Sequence, residues 1–165
     1  MLEQNHHQLY FKEGKAMEYR QANREDLENF IDVRMEFASS MGEIPTMERF
    51  REETAAYLRG HLGKDDLLIF IAADKGRIIA TCMACIFMTV PLPSCSSGKI
   101  AVLLNVSTLK DHRRKGHAAK LLRLTLEELK RRGVRKVILD HTDDGFPLYK
   151  KLGFETSERH MSLSL

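Results

Sequence analysis

Two apolar runs on either side of a turn signal constrain this chain more than any other feature. Leu67 to Ala73 is nearly all apolar, Arg77 to Val90 is a second apolar run, and Asp74-Lys75-Gly76 lies between them. Apolar segments of this length bounded by turn residues read as the two strands of a long antiparallel hairpin. Lys99 to Ser107 reads as a further buried strand.

The rest of the chain is arranged around these strands. Met17 to Ala22 is a first strand-like stretch. Asn23 fits an N-cap with Asp26 at the third helical position, and Leu27, Ile31, Met35 and Ala38 then recur at helical spacing. After Gly42 and Pro45, Thr46 fits the cap of a second helix with the apolar line Met47, Phe50, Thr54, Tyr57, Leu58 and Leu62. A third helix is expected from about Gly116 to Arg132, with Ala118, Leu122, Leu126 and Leu129 on one face and Gly133 as its stop. Val137 to Asp140 reads as a short strand, Gly145 to Leu152 as a short helix, and Phe154 to Leu165 as one or two closing strands. The expected architecture is α/β (α+β): a single mixed, mostly antiparallel sheet of six to seven strands flanked by about four helices. Residues 1–16 read as an N-terminal extension and 17–165 as one domain.

Bulk properties narrow the class. With 165 residues, 43% hydrophobic and 30% charged, the chain can bury one core without covalent staples. A net charge of +3 is spread over interleaved acids and bases, so charge alone demands neither nucleic acid nor a membrane. Neither a membrane-length apolar run nor a signal-peptide segment is visible, and a cytoplasmic location is expected. The three cysteines make a poor disulfide framework. Cys82 and Cys85, three apart on a strand, should face opposite sides, and Cys95 is expected to be exposed or half-buried in its loop. Met83 and Met88 read as core filler. The histidines lack metal-ligand spacing, so no metal site is expected.

The chemistry-bearing segment is Arg113-Arg114-Lys115-Gly116-His117-Ala118, between a buried strand and an amphipathic helix. A helix start presents free N–H groups and a positive dipole end to anions. Gly116 allows close backbone approach, Ala118 keeps the next turn clear, and three cationic side chains add charge. The segment is neither a Walker loop nor a dinucleotide fingerprint. The cations Lys110, Arg113, Arg114, Lys115, Arg131, Arg132, Arg135 and Lys136 lack the interleaved aromatics of a single-strand nucleic-acid surface, and no nucleic-acid partner is expected.

This loop resembles the Arg/Gln-x-x-Gly-x-Gly/Ala signature of the GCN5-related N-acetyltransferase (GNAT) superfamily, through Arg113, Gly116 and Ala118. Leu103-Leu104-Asn105-Val106-Ser107-Thr108 is similar to that family's fourth strand, and Leu148-Tyr149-Lys150-Lys151-Leu152-Gly153-Phe154 to its C-terminal motif. The resemblance implies an acyl-CoA-dependent N-acetyltransferase with acetyl-CoA as co-substrate and a primary amine of a small molecule or protein as acceptor. Its alternative is a catalytically silent acetyl-CoA-binding module that senses the cofactor or assembles as a subunit. By the same resemblance, the pyrophosphate rests on the loop that begins at Arg113, on the N–H groups of Arg114, Lys115, Gly116, His117, Ala118 and Ala119. Val106, Ser107 and Thr108 pair with the pantetheine arm where the fourth and fifth strands splay, and an N–H around Val106 serves the oxyanion. Tyr149 matches the family tyrosine that returns a proton to the departing thiolate, and the His117 side chain is expected to face the phosphates or solvent. Relatives that dimerise through edge or C-terminal strands leave a homodimer open. Where a carboxylate base is sought on the fourth strand, this chain has Asn105, whose amide cannot take up a proton at neutral pH. The base role then passes to water, Asp140 or His141.

Overall fold

The computed structural model describes residues 17–157 and 161–164. In chain order the elements are β1 (Glu18–Gln21), a 3-10 turn (Arg24–Asp26), α1 (Leu27–Met41), α2 (Met47–His61), β2 (Leu67–Asp74), β3 (Arg77–Met88), β4 (Lys99–Thr108), a second 3-10 turn (Lys110–His112), α3 (His117–Arg131), β5 (Lys136–Ile138) and α4 (Phe146–Lys151). The strands form one sheet in the order β1-β2-β3-β4-β5. All neighbours are antiparallel except β4 and β5, which run parallel because α3 carries the chain back between them.

The hairpin forms as its sequence demands. Asp74 opposes Arg77, and the two residues between, Lys75 at φ 49 and Gly76 at φ 83, are both left-handed. Positive φ at both central positions is the turn whose twist matches paired strands. β2 and β3 are buried on nearly every residue because both sheet faces are covered. Phe30, Ile31, Leu58, Ile69, Ile71 and Met83 build the core under α1 and α2. On the other face Leu68, Cys82, Ala84, Leu103, Leu121, Leu122 and Tyr149 pack under α3 and α4. Cys82 and Cys85 lie on these opposite faces, as a spacing of three on a strand requires.

Several expectations are corrected. Five strands form among the described residues, not six to seven. No strand forms over 154–157 or 161–164, where Met161 and Leu163 are exposed and bury nothing; residues 158–160 and 165 lie outside the described residues, as does the 1–16 extension. β5, the edge such strands would join, is only three residues long. The buried stripe of α3 is His117, Leu121, Leu122, Thr125 and Leu129, a face rotated from the expected Ala118–Leu126 line because a polar His and Thr occupy buried positions. Thr46 precedes α2 but its side chain makes no capping bond. Cys95 is buried: Leu92 and Cys95 exchange backbone hydrogen bonds of 3.0 and 2.9 Å, which folds the thiol inward. Met88, near the open end of the hairpin, is exposed rather than core.

The entry to α1 is a capping box of the expected kind. Glu25 N–H donates to the Asn23 side chain at 2.8 Å, and Asn23 N–H donates to Asp26 Oδ2 at 2.8 Å. Arg20 of β1 donates to both Asp26 oxygens, at 2.6 and 2.9 Å, and this pairing holds the carboxyl below its usual range. Because the folded-state pKa is depressed, the stabilisation is present above the ordinary value of 3.8 and is lost as pH falls through the depressed one. Asp26→Asn should therefore cost about 1–2 kcal/mol in urea denaturation at pH 7. The gap to wild type should close as pH drops below the carboxylate range, and a pH-independent gap would show that the charge contributes nothing.

Candidate active site

β4 is paired to β5 only from Ile100 to Val102, so among the described residues the β5-facing edge of β4 is unpaired from Leu103 to Thr108. On its other edge the register with β3 slips between Thr81 and Met83, which places Leu104 opposite Met83 and Ser107 opposite Thr81. The extra residue of this bulge is accommodated at Asn105, a non-glycine residue at φ 49. Its amide is buried and fixed: Nδ2 donates to Thr81 Oγ1 at 2.8 Å, and Oδ1 accepts from Arg34 Nη1 at 3.2 Å. The Thr81 hydroxyl in turn donates to the Asn105 carbonyl at 2.8 Å and lies 2.9 Å from Ser107 Oγ. A buried threonine thus ties together both sides of the bulge, directly before Val106, Ser107 and Thr108.

The loop after β4 presents backbone. Arg113 N–H donates to Lys110 C=O at 3.3 Å, and Lys120 N–H donates to Gly116 C=O at 3.0 Å. Among the described residues none of the six N–H groups from Arg114 to Ala119 has an intrachain acceptor. Arg114 at φ 63 and Gly116 at φ 83 are both left-handed, and a Cβ added at Gly116 would meet nothing within 4 Å. Unpaired N–H groups over open space at a helix start make an anion cradle. Two of the three loop cations hold this shape: Arg113 Nε donates to Thr108 C=O at 3.1 Å, and Lys115 Nζ donates to Asp111 C=O at 3.0 Å.

His117 departs from expectation. Its side chain is buried, its Nδ1 lies 2.6 Å from the Tyr19 hydroxyl of β1, and burial followed by the nearby His112 and Lys115 charges lowers its pKa. Lys120 Nζ sits 3.7 Å from the centre of the same Tyr19 ring. The side chain thus anchors the first turn of α3 to β1, and only the His117 N–H is left to the loop. Periodicity could not reveal this, because the partner is 98 residues away.

Tyr149 lies on α4 in the α3-side core that Val106 also packs against. Phe154 contacts its ring edge-on at 5.7 Å between centroids. The hydroxyl makes no hydrogen bond among the described residues, and burial, with the neighbouring Cys82 as a smaller cause, pushes the phenol up to about 12. Asp140 and His141 are both exposed, and the His141 ring leans on Phe146 at 5.0 Å. Arg34 was not anticipated. It falls three residues after Ile31 on the buried stripe of α1, a position where a cation signals a polar target inside the fold.

The described residues contain no helix long and apolar enough to cross a membrane. They also hold no group of three or more His, Cys, Asp or Glu side chains that could bind a metal.

Comparison with known proteins gives this geometry a context. The acetyltransferase (GNAT) family model matches residues 27–154. The crystal structure of a predicted acetyltransferase with acetyl-CoA from Clostridium acetobutylicum is similar at TM-score 0.83 and 26% identity, covering 90% of this chain and 96% of that one. A GCN5-related N-acetyltransferase from Ralstonia eutropha JMP134 gives 0.82 at 23% identity, with 91% and 99% covered. An aminoglycoside N-acetyltransferase in complex with CoA gives 0.73 at 23% identity, with 93% and 97% covered. No curated protein matches the chain. The family match spans most of the sequence and includes the bulged strand, the cradle and Tyr149, so the chain belongs to the acetyltransferase (GNAT) family, whose enzymes use acetyl-CoA as co-substrate.

Proposed function

We propose that residues 17–165 form one N-acetyltransferase domain that moves the acetyl group of acetyl-CoA directly to a primary amine. The observation that carries this reading is the juxtaposition of six unpaired N–H groups at Arg114 to Ala119 with the unpaired edge of β4. Pyrophosphate oxygens accept from the first set, aided by the dipole of the 15-residue α3. The amide groups of the pantetheine arm add to Val106, Ser107 and Thr108 as an extra strand would.

In the reaction the neutral amine attacks the thioester carbonyl, and an N–H around Val106 stabilises the oxyanion, held in place by the Asn105 bulge. The carbon–sulfur bond then breaks and the Tyr149 hydroxyl donates its proton to the leaving thiolate. Burial raises the pKa of the phenol and also of a thiolate leaving in the same apolar surroundings, so the two stay closer than the phenol value alone suggests. Asn105 takes no part as a base, since both ends of its amide are engaged. The ammonium proton leaves to water or through the exposed Asp140 or His141, and the Tyr149 phenolate regains a proton from solvent to restore the starting state.

Gly116→Phe should weaken acetyl-CoA binding at least 100-fold in calorimetry, because the new side chain fills the space above the cradle and strains a left-handed position. Unchanged affinity would remove the loop from the site. Tyr149→Phe should lower kcat by 10²–10⁴-fold with cofactor affinity nearly intact. In the wild type, alkaline inactivation from Tyr149 should appear only towards pH 12. A variant that turns over like wild type would exclude Tyr149 as the acid. Binding of acetyl-CoA without release of free CoA across a broad amine panel would instead indicate a silent binding module.

A further inference from the structure

Arg34 is a half-buried cation without a counter-ion among the described residues. Among the described residues no carboxylate lies within ion-pair distance, and its one hydrogen bond is to the neutral Asn105 Oδ1 at 3.2 Å. The guanidinium packs over the Phe50 ring at 5.6 Å, and burial pulls its pKa down. An arginine remains charged even so, and its other N–H donors have no acceptor among the described residues. Elsewhere on these helices the arginines that bridge α1 and α2 are paired: Arg51 with Asp32 at 2.7 Å and Arg59 with Glu28 at 3.1 Å. Desolvating a charge and leaving it unpaired costs free energy that a resident structural role does not require, since a neutral donor would satisfy Asn105 equally.

Its position gives the cation a use. Arg34 is bonded to the residue directly before Val106, on the sheet face covered by α1 and α2. The same face continues past the helices as an apolar wall. Phe87, Leu104 and Ile138 share it by strand register, through the pairs Phe87↔Ile100, Met83↔Leu104 and Val102↔Ile138, and are 41%, 37% and 39% exposed. Resting on the transferase reading above, we propose that the acceptor amine carries an anionic group, a carboxylate or a phosphate monoester, joined to it by a short apolar segment. Arg34 is the specificity-determining residue that receives this group. The guanidinium fork suits either anion, through two parallel N–H···O bonds.

The test compares matched acceptors with the intact chain: leucine with leucinamide for the carboxylate, and O-phosphoethanolamine with ethanolamine for the phosphate. Free CoA release gives kcat and KM for each, and the arm with the larger ratio identifies the anion. In at least one pair the anionic member should have kcat/KM higher by about tenfold or more, chiefly through KM. Leucinamide has the less basic amine, so the first pair is biased against the expected result. Arg34→Gln should collapse the ratio towards one, and Arg34→Lys, which keeps the charge, should regain part of it. Equal losses for anionic and neutral acceptors would overturn the proposal and make Arg34 a residue that only positions the bulge.

Calorimetry with N-acetylleucine and N-acetylleucinamide, and with the acetylated forms of the phosphate pair, reads the anion site without any turnover. It stands on the wild-type chain alone if Arg34→Gln does not fold. Preference for the anionic ligand without CoA release from any amine would refute the transferase reading and support the anion site. Equal affinity for anionic and neutral ligands would refute the anion site whatever the turnover.

Discussion

The bulge at Asn105 is the constraint on which the functional end of this fold depends. A strand that kept its register with β3 would continue flat beside β5. Instead one residue is inserted, a non-glycine backbone is held at φ 49, and the three hydrogen bonds around Thr81 and Asn105 hold it there. Left-handed backbone costs an ordinary residue of order 1 kcal/mol, an amount comparable to one such buried bond. The network thus outweighs the strain. β5 pairs with three residues of β4 and then parts from it, leaving a cleft edge where a hydrogen-bonding ligand can take a strand's place.

The second requirement is a rigid start to α3. Its first turn is fixed from within by the Tyr19–His117 bond and from outside by Lys120 over the same ring. Arg113 and Lys115 hold the preceding loop through carbonyls instead of reaching outward. Beside the exposed Arg114, what the loop turns outward is backbone N–H, which loses no side-chain freedom when it binds an anion. Under the proposed function the donor half of the site is set by main chain, and under the Arg34 proposal the acceptor half is set by side chains on α1 and the sheet face.

This division explains what the sequence disclosed. The Asp74-Lys75-Gly76 hairpin, the Asn23 capping box and the Gly116 cradle are local patterns whose physics is contained in a few consecutive residues. Periodicity failed where a distant partner reversed a residue's usual preference. His117 and Thr125 occupy the buried face of α3 in place of Ala118 and Leu126, His117 because β1 brings Tyr19 to it. Cys95 is buried by reciprocal backbone bonds that no apolar count registers. Arg34 looks like an ordinary charged helix residue until Asn105, 71 positions away, is placed against it.

In the proposed site, main-chain N–H groups at the end of β4 and the start of α3 hold acetyl-CoA. Amide hydrogen exchange resolved by NMR, with and without saturating acetyl-CoA, tests this most directly. Exchange should be fast for Arg114 to Ala119 in the free protein, and these amides, together with amides in Val106 to Thr108, should be strongly protected when the cofactor is bound. Protection appearing elsewhere while both segments stay unchanged would contradict it.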